Sequence, residues 1–173
     1  MIECAMYSYI SSLKQIHSLR SIFREESMDF DEIVYTKDAS LVVIRSNEKK
    51  TTVTKKSKAD KNKNRKQTVT IVETTETSSL EGLINILELS GYSCTNRTKI
   101  QEILFTGQNF YVSISKEVNN SKIIENDCEK YWLVKVFSLS DSLQNSEQIF
   151  SSNIEKIEDL VDLKNTEFNA FDQ

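Results

Sequence analysis

Apolar residues recur along this chain in two periods, and the switches between them divide it into elements. Residues 2–10, 30–37 and 40–46 are short apolar-rich runs bounded by Ser, Asp or Lys, the pattern of strands. Residues 67–76 alternate Thr68, Thr70, Val72 and Thr74 with Val69, Ile71 and Glu73, and β-branched side chains favour a pleated surface. Residues 99–105 and 109–118 flank Thr106-Gly107-Gln108, where Gly107 is expected to supply the positive φ of a tight turn. Residues 131–139 give a last strand, with Trp132, Val134 and Val136 on one face and Leu133, Lys135 and Phe137 on the other.

Three helices interrupt these strands. One opens at Ser12, with Gln15 at capping-box spacing, and carries Leu13, Ile16, Leu19, Arg20 and Phe23. A second opens at Ser78 with Glu81, places Leu80, Leu83, Ile84 and Leu87 on one side and ends before Gly91. A third begins between Ser146 and Asn153 and aligns Ile154, Ile157, Leu160 and Val161. The order is strand, helix, three strands, helix, hairpin, strand, helix. A doubly wound parallel sheet would alternate strand and helix throughout. The expectation is a mainly β (α+β) fold: an antiparallel, largely closed β-barrel of about eight strands with two to three flanking helices, because closure removes exposed edges.

Charge changes this picture in one place. Residues 47–66 hold nine Lys or Arg against Glu48 and Asp60, +7 locally, which leaves −11 of the net −4 on the remainder. That segment is expected to be a disordered basic loop inserted into a single domain spanning 1–173. With 38% apolar and 28% charged residues, and no apolar run near the ~20 residues of a membrane helix, the composition is that of an ordinary soluble protein. Residues 1–10 lack the features of a secretory signal, so an intracellular address is expected. Cys4, Cys94 and Cys128 lie too far apart for a Cys-x-x-Cys pair and read as thiols. Without proline and with three glycines, turns fall to Asn, Asp and Ser.

Three stretches carry a family resemblance. They are the opening Cys4-Ala-Met-Tyr-Ser-Tyr-Ile-Ser-Ser-Leu running into Gln15-Ile-His-Ser-Leu-Arg; Ser79-Leu-Glu-Gly-Leu-Ile-Asn-Ile-Leu-Glu-Leu-Ser-Gly-Tyr followed by Glu102-Ile-Leu-Phe-Thr-Gly-Gln-Asn-Phe-Tyr-Val-Ser-Ile; and Tyr131-Trp-Leu-Val-Lys-Val with the helix ending near Leu163. In this order they resemble the Mediator subunit 18 family of the Mediator head module, which links transcription factors to RNA polymerase II. The resemblance spans most of the chain outside 47–66, 119–129 and the last ten residues. It implies a nuclear, non-enzymatic barrel without cofactor that pairs with Mediator subunit 20 and receives a helix of subunit 8.

The same barrel type is similar to that of metal-dependent triphosphatases, which makes catalysis the rival expectation. In those enzymes carboxylates at i and i+2 of a strand hold a hard cation while Arg and Lys hold the triphosphate. Candidates are Asp29 with Asp31, Glu125 with Asp127 and Glu129, and the cations Arg45 and Lys116 if they face inward. Against them, the first strand offers Glu3 alone, followed at alternate positions by Ala5 and Tyr7, and residues 131–139 contain no acid. No catalytic or metal-binding residue is therefore assigned. His17, the one histidine, fits a half-buried helix flank, and the glycines are too dispersed for a phosphate loop. The basic segment could bind nucleic acid or serve as a nuclear import signal; it lacks aromatic residues for base stacking, so a solvated loop is favoured over specific nucleic-acid binding, and import signal and plain loop both stay open. Phe105, Phe110, Tyr111, Tyr131 and Trp132 cluster in the hairpin and last strand; most are expected in the core, and those facing outward are the candidate partner groove.

Overall fold

The structure, a computed structural model, describes residues 1–58, 67–118 and 131–158. Eight strands close into a ring: β1 (Ile2–Ile10), β2 (Arg24–Lys37), β3 (Ser40–Ser46), β4 (Thr51–Lys58), β5 (Thr68–Thr77), β6 (Ser93–Thr106), β7 (Phe110–Glu117) and β8 (Trp132–Ser140). Their order around the barrel is β1-β5-β4-β3-β2-β6-β7-β8, and every pairing is antiparallel. β1 closes the ring, meeting β8 through nine residue pairs from Ile2–Ser140 to Ile10–Trp132 and β5 through four. The helices are a 3-10 helix (Leu13–Ser21), α1 (Leu80–Leu89) and α2 (Leu143–Glu158). The expected closed antiparallel barrel is the observed fold.

Strand parity places the apolar core outside the ring. On β1 the even residues Cys4, Met6 and Ile10 join Val112 and Ile114 of β7, Val134 and Val136 of β8, and Phe150, Ile154 and Ile157 of α2 in one buried cluster. The opposite flank buries Ile33, Tyr35, Val42, Ile44 and Val53 under Leu80, Leu83, Ile84 and Leu87 of α1. Each helix therefore covers one side of the barrel with its apolar stripe. Polar links fix the first: the Ser138 hydroxyl donates to the Ser146 carbonyl at 2.8 Å, and the Ser146 hydroxyl to the Ile2 carbonyl at 3.2 Å. The alternate faces of the strands line the interior.

Several elements differ from expectation for local reasons. The first helix is 3-10, matching its apolar spacing of three at Leu13, Ile16 and Leu19, since residues i and i+3 eclipse in that geometry. Its cap is Ser12, whose side chain accepts from the Lys14 N–H. α1 is capped by Ser79, one residue later than expected, with its hydroxyl accepting from Gly82. α2 starts at Leu143, earlier than expected. The basic segment is corrected in part: residues 51–58 are strand β4, because Thr51, Thr52, Val53 and Thr54 favour extended backbone and pair with both β3 and β5. Residues 59–66 lie outside the described residues.

The β6–β7 turn also differs. The positive φ belongs to Asn109 (58°), a residue that tolerates it, and not to Gly107. Gly107 serves close approach instead: a Cβ there would stand 2.9 Å from the Phe23 ring and 3.3 Å from the Phe110 carbonyl.

Candidate functional site: the charged inner wall

The residues left facing the interior by parity include charged groups from six strands. The Glu3 side chain of β1 is 4% exposed; its Oε2 accepts from Lys135 Nζ of β8 at 2.6 Å and its Oε1 from Lys56 Nζ of β4 at 3.3 Å. Lys56 reaches Glu3 past the intervening β5, where Thr70 is the register partner of Glu3. Across the ring, Arg45 of β3 donates through Nε to Glu32 of β2 at 2.7 Å and contacts Glu102 of β6 at 3.4 Å, again past an intervening strand. The Ser113 hydroxyl of β7 donates to Glu102 at 2.5 Å, and Ser113 is the register neighbour of Lys135. Side chains that meet past a strand in this way project into the concave side of the sheet.

Aromatic rings complete the wall. Phe30 lies under the Arg45 guanidinium, 4.4 Å from its centre, and Phe137 lies under Lys135 at 4.2 Å, both cation–π contacts. Tyr111 stacks on Phe137 with ring centroids 5.0 Å apart.

The electrostatics follow from the pairing. Burial alone would raise Glu3, but Lys135 and then Lys56 overcome it and bring its pKa down to about 2. Burial, with Lys135 beside it, lowers Lys56 in spite of Glu3. Burial pushes the Tyr7 phenol up to about 12, Lys56 opposing and Glu3 reinforcing. For Arg45 burial acts downward, but Glu102 and Glu32 outweigh it and raise the guanidinium further. Every carboxylate in this set is held by a cation of the wall. Among the described residues, no three His, Cys, Asp or Glu gather as a metal site would require.

The residues singled out in the sequence separate. Phe105 and Phe110 are 0% and 1% exposed within the core beneath α2, so neither offers a surface to a partner. Tyr111 lines the interior, Trp132 is half-buried on the outer face, and Tyr131 is 49% exposed at the start of β8. Arg45 faces inward; Lys116 does not, because its ammonium lies over the Trp132 ring on the outer face. Asp29 and Asp31 are exposed residues inside β2, on the outer parity opposite Glu32. His17 is exposed, its Nδ1 3.4 Å from Arg20. Cys4 is buried and Cys94 exposed. Glu125, Asp127, Cys128 and Glu129 lie outside the described residues. Glu32, Glu102, Ser113, Lys56 and Lys135 are wall residues that the sequence did not single out. Of these only Lys135, a charge between Val134 and Val136, carried a signal in the sequence; Glu32, Lys56 and Glu102 each have a polar neighbour, and Ser113 is uncharged.

No protein-family model matches the chain, and no curated protein matches it in sequence. Solved structures do match in shape. A chain of the Schizosaccharomyces pombe Mediator head module superposes with a TM-score of 0.70 at 13% identity, covering 96% of this chain and 97% of that one. A Pyrococcus horikoshii protein gives 0.69 at 10% identity over 94% and 92%. A candidate adenylate cyclase of Vibrio parahaemolyticus gives 0.64 at 11% identity over 92% and 88%. At these identities the likeness is one of fold: the chain has, over nearly its whole length, a barrel that a Mediator head chain and a candidate cyclase share.

Proposed function

We propose that this chain is a non-enzymatic structural subunit of the Mediator coactivator complex, which docks partner subunits in the nucleus and supports RNA polymerase II transcription through them. The observation that carries the reading is the self-neutralised inner wall. Glu3 is the only acid at an inward position of β1, and both its oxygens are engaged by lysines. Glu32 and Glu102 share one guanidinium. A hard cation needs several oxygens at once, so binding one here would first require displacing fixed ammonium or guanidinium groups. The end-to-end likeness to a Mediator head chain supports the same reading. Subunit 20 as heterodimer partner and a helix of subunit 8 follow from the family resemblance.

The test is purification of the tagged chain from native cells after nuclease treatment, with mass spectrometry of what stays bound. Near-stoichiometric Mediator head subunits are expected. A chain recovered alone, or with RNA-capping enzymes, overturns the reading.

One observation favours a second reading, a metal-dependent tunnel triphosphatase: Arg45, Lys56 and Lys135 reach the interior from three strands, as binding of a polyphosphate requires. Its assay is phosphate release from tripolyphosphate or 5′-triphosphorylated RNA with magnesium or manganese. Release above blank that disappears in Lys135→Met and Glu3→Gln would put this reading first.

A further inference from the structure

β2 is longer than one of its neighbours, and the mismatch leaves an edge. It pairs with β6 from Arg24 to Thr36, yet with β3 only from Asp31 to Lys37. Along residues 24–30, therefore, β2 has β6 on one side and, among the described residues, no strand on the other. Successive residues of a strand turn their N–H and C=O groups to opposite edges, so alternate residues of this stretch direct both groups outward. A row of that kind is a template for another strand. At seven residues it is as long as an ordinary strand, typically ~5–6 residues.

Its side chains decide what can pair there. Glu26, Ser27 and Asp29 are exposed, as is Asp31, where the pairing of β2 with β3 begins. Glu25 is taken by Arg20, but Glu26, Asp29 and Asp31 have no ion-pair partner among the described residues. Natural edges are commonly blunted by charged side chains, lysine above all, by proline or by a bulge, and the charges here are mostly acidic, which disfavours an acidic strand and admits a basic one. Residues 24–30 contain no lysine or proline, and the irregularity in the β2–β6 register falls later, between Val34 and Tyr35. A second copy of the chain fits poorly: antiparallel self-pairing about Ser27 would set Glu25 opposite Asp29, and like charges directly opposite are destabilising. Nucleic acid is repelled by the same carboxylates.

We infer that the β2 edge at residues 24–30 is a docking site for an extended segment of a partner protein that adds a strand to the barrel and carries lysine or arginine opposite Glu26 and Asp29, its end lying beside Asp31. Main-chain hydrogen bonds then supply affinity and the carboxylates supply selection. The inference deepens the docking reading and rests on it. It also gives Asp29 and Asp31, excluded from the barrel interior by their parity, a role as selectivity charges on the rim.

The experiment is hydrogen exchange at residues 24–30, measured on the purified full chain alone and on the same chain within its native purified complex. In the complex, alternate amides of the stretch should slow by ~10-fold or more as they gain main-chain acceptors. A Glu26→Lys/Asp29→Lys/Asp31→Lys variant, with an unchanged circular dichroism spectrum and thermal midpoint, should lose the protecting protein. A complex that forms while these amides exchange as they do in the free chain overturns the edge site and leaves the docking reading standing. Recovery of the chain without partners overturns both. Slowing that develops in the free chain with concentration overturns the choice of occupant in favour of a second copy.

Discussion

At Glu3 two ammonium groups compete with burial for one carboxylate, and they win. Its pKa falls from 4.5 to about 2, so the folded state prefers the ionised form more strongly than the unfolded state does. The stability this adds is fully present above pH 4.5 and is lost as pH falls through 2. A depression of that size corresponds to about 3 kcal/mol. Glu3→Gln is therefore expected to unfold about 3 kcal/mol more easily in urea at pH 7 and to show a flatter decline between pH 4.5 and 2. An acid limb as steep as that of the wild type would show that other carboxylates set it. Because Lys56 and Lys135 would be left facing each other, Lys135→Met in the Glu3→Gln background should recover part of the loss. None of this pairing was legible in the sequence, where Glu3 reads as a lone acid on a strand. Lys56 lies 53 residues away and Lys135 lies 132 away, so only closure of the ring brings them together.

Elements whose two faces differ in polarity could be read directly, and those built of polar residues on both faces could not. β5, β7, β8 and α1 have apolar or β-branched residues at the period their geometry demands, and each lies within a residue or two of its expected place, as does the end of β6 that enters the hairpin. The first six residues of β2 and of β6 are mostly polar and exposed on either side, so alternation carried no signal there. β4 was hidden for another reason: Lys55 and Lys56 look like solvated charge in sequence, yet Lys56 is part of the inner wall. The hairpin shows how a correctly placed element can still rest on an unexpected contact. Gly107 lets Phe23, just after the 3-10 helix, pack on the turn. Gly107→Ala forces that ring or the Phe110 carbonyl to move and is expected to cost about 1–3 kcal/mol by thermal denaturation. Adding Phe23→Leu should return part of that stability. If Phe23→Leu and Gly107→Ala are simply additive, the contact is not the reason for the glycine.

The whole molecule has two apolar clusters on opposite flanks of one ring, and its cooperativity depends on whether the ring couples them. Cluster one is held by α2 over β1, β7 and β8, and cluster two by α1 over β2, β3 and β4. No strand belongs to both sets, but all eight are joined edge to edge, and opening any pairing creates two unpaired edges whose polar groups must be satisfied. The wall ion pairs span the same divide, Glu3 and Lys135 on one side holding Lys56 on the other. The ring should therefore melt as one unit. Leu87→Ala empties cluster two and Ile154→Ala cluster one, each at an expected cost of about 2–5 kcal/mol. Trp132, the only tryptophan, packs against cluster one and reports on that side, while far-UV circular dichroism reports on the whole barrel. In urea, Leu87→Ala should shift both signals together to the same lower midpoint with an unchanged slope, although the substitution lies on the flank away from the probe. A circular dichroism transition that moves while Trp132 fluorescence holds its wild-type midpoint would mean that the α1 flank unfolds by itself, and that the chain is two stability units sharing one barrel.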